Sequence, residues 1–312
     1  MSPLPRRASA ALAAALRAAL KAAMRAAFFA LAIFALAGAP LAVATEGGRP
    51  RFAPERPVEA AVRWFRGLAD GSTFEYRLGS TRWDFAEYAP SFLAVSAANL
   101  AIPGAVGIAL GSLAGVALRS RRRGWLDRAA DAIAATPDFI LALAAQVFVI
   151  VALKPLGLRV RIGPSQAGLS AVALAVICVY PLCFSFRVAA RASRRIADAD
   201  FVVYARAKGL SEGQVLRRHV GAAVVPEIVR ELPTILSFMQ GTLFIVEYLF
   251  ALPGIARFLF TTAFSGMRPG FYQVYQYNLG VFVLAGIGLA YILVYAALRL
   301  SLSLARKVLV NE

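Results

Sequence analysis

Charged residues are scarce in this chain. Asp, Glu, Lys and Arg make up 16% of its 312 residues, where soluble globular domains carry about 25%. Histidine occurs once, as His219, and cysteine twice, as Cys178 and Cys183. The lone histidine stands among arginines, without the companions that metal binding or general acid–base work requires. Both cysteines lie in an apolar run and read as small packing residues, which argues against a disulfide framework and a zinc site. No G-x-x-x-x-G-K-[ST] loop is present, so nucleotide hydrolysis must happen elsewhere. There is no H-E-x-x-H and no clear nucleophile–base set. These absences leave no catalytic residue and no metal ligand to nominate, and they point away from an enzyme.

What the chain has instead is apolar length. Hydrophobic residues make up 60% of it, and mean hydropathy is +0.66. Six apolar runs stand out, at 26–44, 92–118, 139–153, 167–186, 234–250 and 279–298. The expected fold is therefore all-α and polytopic, with six transmembrane helices. The third run is short and borrows residues from DAIAATPDFI, where Pro137 distorts its start. The first run follows a basic, Ala-rich tail, 1–25, and ends in Ala42-Val43-Ala44. An uncleaved first span and a cleavable signal peptide both fit that pattern.

Net charge is +17. With the N-terminus inside, 22 of the 34 Lys and Arg residues fall on the inner side and 12 on the outer. Seven of those 12 lie in the loop 45–89, which carries seven acidic residues as well. The asymmetry places both termini in the cytoplasm. The organisation expected is a cytoplasmic tail (1–25), a first span (26–44) and an extracytoplasmic loop (45–89). A core of five spans (90–300) and a second cytoplasmic tail (301–312) follow. Within the outer loop, Val58, Ala61, Val62, Phe65 and Leu68 recur at helical spacing beside Trp64. This describes a short helix on the membrane surface, serving as an anchor or in substrate gating.

Two features inside the spans carry information. Gly107, Gly111 and Gly115 are four residues apart and line one helix face, where they let a neighbouring helix approach closely. Glu247 is the one acidic residue well inside an apolar run. Such a residue is either functional or a structural hydrogen-bonder.

The polar segment 187–232 separates the fourth and fifth spans and belongs to the cytoplasmic side. Residues 199–208 read as a helix with acidic residues at its start and Arg206 and Lys208 at its end. Gly209 stands where a helix stops on a left-handed residue. Ser211 and Gln214 form a capping box that opens a second helix, expected to end at Pro226. A basic helix-turn-helix suggests nucleic acid, but both flanks enter spans within a few residues. A solvated connector and a rigid docking element remain as readings.

The stretch Tyr204, Ala205, Arg206, Ala207, Lys208, Gly209, Leu210, Ser211, continuing to Arg217, Arg218 and His219, resembles the cytoplasmic EAA loop of ABC-importer permeases of the dipeptide, oligopeptide and nickel type. VEYLFALPGIARFL is similar to that family's E-x-x-F-x-x-P-G-x-G stretch, with Glu247, Phe250, Pro253 and Gly254 in place and Ala256 where a glycine is usual. GWLDRAADAIAATPDFILAL resembles its approach to the third span, with Asp127 and Pro137 matching. The resemblance covers roughly residues 90–300. It departs at GAAVVP, where R-N-A-L-x-P is usual, and at GMRPGFYQVYQYN, which has no acidic-x-proline element.

The resemblance implies an ABC type I importer fold in a bacterial inner membrane. It implies a second permease subunit, two ATPase subunits holding ATP and Mg, and an extracytoplasmic solute-binding protein. This chain would bind no cofactor itself. The loop around Gly209 would couple to the ATPases, and Glu247, Phe250, Pro253 and Gly254 would serve at the outer gate.

Overall fold

The computed structural model describes residues 6–46, 49–78, 81–118, 124–153, 155–158, 160–260 and 275–311. The basic block at 119–123, the extreme termini and most of the segment before the last span, including Arg268, lie outside the described residues.

The chain opens with α1 (Arg6–Gly38) and a 3₁₀ turn, Ala39–Ala42, then a hairpin of β1 (Val43–Glu46) and β2 (Arg49–Phe52). Next come α2 (Glu55–Asp70) and a second hairpin of β3 (Glu75–Leu78) and β4 (Thr81–Asp84). Then follow α3 (Phe85–Ala117), α4 (Gly124–Ala134), α5 (Asp138–Phe148) with a π-helical extension Val149–Leu153, and α6 (Ala171–Ala197). The chain finishes with α7 (Asp200–Ala207), α8 (Glu212–Gln214), a π segment Val215–Gly221, α9 (Ala222–Leu249), α10 (Ile255–Phe258) and α11 (Tyr277–Asn311).

Among the described residues, five helical stretches are long and apolar enough to cross a membrane: Leu16–Ala42, Phe85–Ala117, Ala171–Ala197, Glu212–Leu249 and Tyr277–Val310. The pair α4 and α5, with its extension, makes a sixth if it is one span bent by 97°. Pro137, at the N-cap of α5, sits at that bend, because it lacks the N–H that would carry the helix through.

Four sequence expectations change. The basic tail and first span form one helix from Arg6, since alanine has the highest helix propensity and nothing breaks the run before Gly38 and Pro40. The loop 45–89 holds two antiparallel hairpins besides its helix, with Val43 opposite Phe52 and Glu75 opposite Asp84. The segment 187–232 is largely an extension of the spans: α6 runs on to Ala197, and one helix covers Glu212–Leu249. Pro226 therefore ends nothing. It costs one ladder bond a turn after the widened π segment, while Val224, Ile228 and Leu232 bury against the rest of the bundle.

Contacts divide the chain into two compact units, 1–86 with 262–285 and 87–261 with 286–312. In the first, Ala37, Ala60, Tyr277 and Val281 are buried together. Trp64 meets Phe34 edge-on at 5.0 Å, and Phe282 stacks on Phe74 and Phe85. The predicted apolar stripe of α2 stays exposed at Val58, Val62, Phe65 and Leu68. In the second unit, α6 and α9 make the most extensive helix pair, and the core joins Leu100 and Ile108 of α3 to Ile177, Leu236, Leu243 and Val294.

Candidate functional site

The exposed tip of the second unit is built by local rules. α7 begins with Asp200 in its first turn and ends at the cap Lys208. Gly209 follows with φ +82°. The Gly209 N–H donates to the Arg206 carbonyl at 2.9 Å, and the Leu210 N–H donates to the Ala205 carbonyl at 3.4 Å. That pair of bonds is a Schellman motif, which requires the left-handed residue. Nothing lies within 4 Å of where a Gly209 Cβ would sit. The glycine is there for its backbone angle and not for close approach within this chain.

Ser211 then caps α8. Its hydroxyl accepts from the Gln214 N–H, and the Gln214 side chain accepts from the Ser211 N–H at 3.0 Å. Arg206 braces the turn from outside, bonding Glu212 at 2.8 Å and the Ala197 carbonyl at 3.2 Å. It thus helps hold the tip. Lys208 lies over the Tyr204 ring at 4.6 Å. Arg217, Arg218 and His219 follow in the π segment, with His219 6.5 Å from Phe201. Ala205, Val202 and Val215 are buried beneath the tip, while Phe201, Val203 and Tyr204 are exposed. All eleven residues expected to couple to a partner, Tyr204 to Ser211 and Arg217 to His219, fall in this one projection.

At the other end of α9 the chemistry is buried. Glu247 is 0% exposed. Its Oε1 accepts from Ser96 Oγ at 2.6 Å, and its Oε2 accepts from the N–H groups of Ala256 at 2.9 Å and Arg257 at 3.2 Å. Ser96 Oγ accepts in turn from the Ile255 N–H at 2.8 Å. One carboxyl and one hydroxyl thus satisfy all three orphan donors at the start of α10. α9 stops by a second Schellman motif, with Leu252 N–H bonded to Glu247 O at 3.0 Å and Ala251 at φ +54°.

Phe250 is buried, Pro253 is partly so, and a Cβ on Gly254 would fall on the Glu247 carboxyl. Glu247 therefore ties α3, α9 and α10 together. Ser96, and the fully buried Asn99 one turn along α3, are the residues sequence reasoning missed. Nothing in a lone serine of an apolar run signals a partner 151 residues away.

The glycine ladder lies where α3 crosses α6. A Cβ on Gly107 would come within 2.8 Å of Pro181 Cγ and 3.0 Å of the Cys178 carbonyl. Those on Gly111 and Gly115 would fall on the carbonyls of Leu182 and Phe186. No group of three or more His, Cys, Asp or Glu able to hold a metal occurs among the described residues.

Comparison with known proteins matches the same region. The family model described as "Binding-protein-dependent transport system inner membrane component" covers residues 107–311, and so includes the Gly209 tip, Glu247 and the glycine ladder. The dipeptide transport system permease protein DppB of Bacillus subtilis (strain 168) is 29% identical over 161 residues, 49% of this chain and 50% of that protein. Putative peptide transport system permease proteins of Brucella abortus (strain 2308) and Brucella suis biovar 1 (strain 1330) are each 27% identical over 173 residues, 50% of this chain and 52% of theirs. The chain spans about half the length of the curated relatives it matches. With its multiple membrane-crossing helices, the chain belongs to the family of binding-protein-dependent transport system inner membrane components.

Proposed function

We propose that the chain is the permease subunit of an ATP-driven ABC importer, and that it forms part of the pathway for peptides or a similar small solute. The carrying observation is the tip around Gly209: a Schellman turn followed by a capping box, braced by the Arg206–Glu212 ion pair. A stiff element transmits displacement without dissipating it. The apolar groups Phe201, Val203 and Tyr204, exposed beside it, suit a groove on an ATPase.

In this reading a second permease subunit completes the pathway, two ATPase subunits bind ATP and Mg, and an extracytoplasmic binding protein delivers the solute. The chain lies in a bacterial inner membrane. Both termini are cytoplasmic, in keeping with the excess of Lys and Arg on that side. The names of the relatives support a peptide as solute.

The test is Gly209→Asp in the intact transporter. Uptake of radiolabelled trialanine and co-purification of the ATPase subunits should both fall, while the amount of chain in the membrane stays constant. Unchanged uptake and association would refute the coupling role. Uptake that persists without any ATPase would favour an ATP-independent transporter or channel.

A further inference from the structure

α6 and the bent pair α4–α5 face each other through a series of polar rungs. Arg194 of α6 bonds Asp127 of α4 at 3.1 Å. Arg187 pairs with Asp131 of α4. The next position on the same face of α6, seven residues on, is Tyr180, since seven residues are almost two whole turns. Across the gap stands Asp138, the first residue of α5: Phe238 and Thr242, one turn apart on α9, touch Tyr180 and Asp138 respectively. Two rungs hold an arginine against an aspartate, and the third holds a tyrosine.

Among the described residues, Asp138 thus has no cation of its own. Its Oδ2 accepts from Thr242 Oγ1 of α9 at 2.9 Å. No Lys, Arg or His pairs with it among the described residues. It stands at the bend of the α4–α5 pair and is only partly buried. A carboxyl without a counter-charge among apolar helices is costly and is a candidate functional contact. Aromatic faces lie beside it: Tyr180 stacks on Phe238 of α9 at 4.6 Å and on Phe184 at 5.6 Å. Arg187 covers Phe184, 5.5 Å from its centroid. Phe238 is 54% exposed.

We propose that Asp138, with the rings of Tyr180 and Phe238, is a contact site for the ammonium group of the transported solute. A carboxyl beside aromatic faces is the chemistry that recognises a primary ammonium, through hydrogen bonds on one side and the ring quadrupole on the other. The solute supplies the cation that the third rung lacks, and an anion passing the same point is repelled. This site rests on the reading of the chain as part of a solute pathway. A purely structural role, with Asp138 stabilising the start of α5 through the helix dipole, is the competing account.

The intact transporter in membranes decides between them, with radiolabelled trialanine as probe and the membrane abundance of each variant measured alongside. Asp138→Asn keeps the shape and the acceptor for Thr242. Uptake per transporter should fall at least about tenfold, the loss expected for a charge-assisted contact. Tyr180→Arg keeps the carboxyl but closes the third rung, and uptake should fall by a similar factor at normal abundance. Asp138→Asn uptake within twofold of wild type would overturn the proposal. So would absence of both variants from the membrane, or loss of the second permease subunit on Asp138→Asn.

If the wild-type transporter takes up no trialanine, the peptide reading fails, and the site is judged on the solubilised complex. Alaninamide, a cation, should then raise the unfolding temperature of wild type but not of Asp138→Asn, and neutral N-acetylalaninamide should raise neither. Equal shifts in both proteins, or no shift with alaninamide, would overturn the ammonium site by itself.

Discussion

Gly209 and Gly254 each stand just beyond a helix, and their surroundings differ in every respect. Gly209 has φ +82° and empty space where a Cβ would go. Gly254 has φ −102°, an angle open to any residue, and its Cβ would fall on the carboxyl of Glu247. The first glycine serves an angle and the second serves a volume. The same contrast holds for their settings. The Gly209 tip is held by backbone bonds, a cap and a surface ion pair, and it projects exposed apolar groups. The Gly254 corner is held by a buried carboxyl with three hydrogen bonds and projects nothing. An element of fixed shape with little packing of its own is suited to fit something else. An element packed on all sides is suited to keep helices in place.

Glu247→Ala should break the contrast most deeply. It leaves the Ser96 hydroxyl without its acceptor and the N–H groups of Ala256 and Arg257 unpaired, and it opens a void, so a loss of about 3–5 kcal/mol is expected, read as the unfolding midpoint of the purified protein. Gly254→Ala comes next, at about 1–3 kcal/mol from overpacking. In a Glu247→Ala background the same substitution should cost far less, because the clashing carboxyl is gone. A double-mutant cycle measures that coupling, and additive losses would refute the steric account.

Gly209→Ala should cost about 1 kcal/mol through its left-handed angle alone. Its signature is local: faster amide exchange at Gly209 and Leu210, with the global midpoint nearly unmoved. The smallest effect concerns the second Schellman turn, where Ala251 sits at φ +54°. Ala251→Gly should gain about 0.5 kcal/mol or less, since relief of the angle is offset by the chain entropy of glycine.

Much of the tip is legible in the amino-acid sequence, because its rules act over three to six residues. The left-handed stop at Gly209 and the Ser211–Gln214 capping box are written in adjacent positions and need no distant partner. The glycine ladder is legible as a face, since helical spacing alone puts Gly107, Gly111 and Gly115 together, but its partner α6 is not. Pro226 misleads because a local breaker is outweighed by tertiary packing around α9. The hairpins β1–β2 and β3–β4 escape a sequence reading because four-residue strands in a charged segment carry too little alternation to signal themselves. Asp138 escapes it because it sits at the head of a short apolar run, where an acidic residue reads as a helix start.

Sequence alone determined that this chain crosses a membrane repeatedly, how it stops and restarts its helices at the tip, and which family it resembles. Those properties depend on composition, period and short-range bonding, all of which are local. Only the tertiary structure decided that Glu247 meets Ser96, that the glycines meet the carbonyls of α6, and that Asp138 meets Thr242 of α9 where Asp127 and Asp131 meet arginines. Each of these joins residues far apart in the chain, and the pairing energy exists only once helix packing has brought them within a few ångströms.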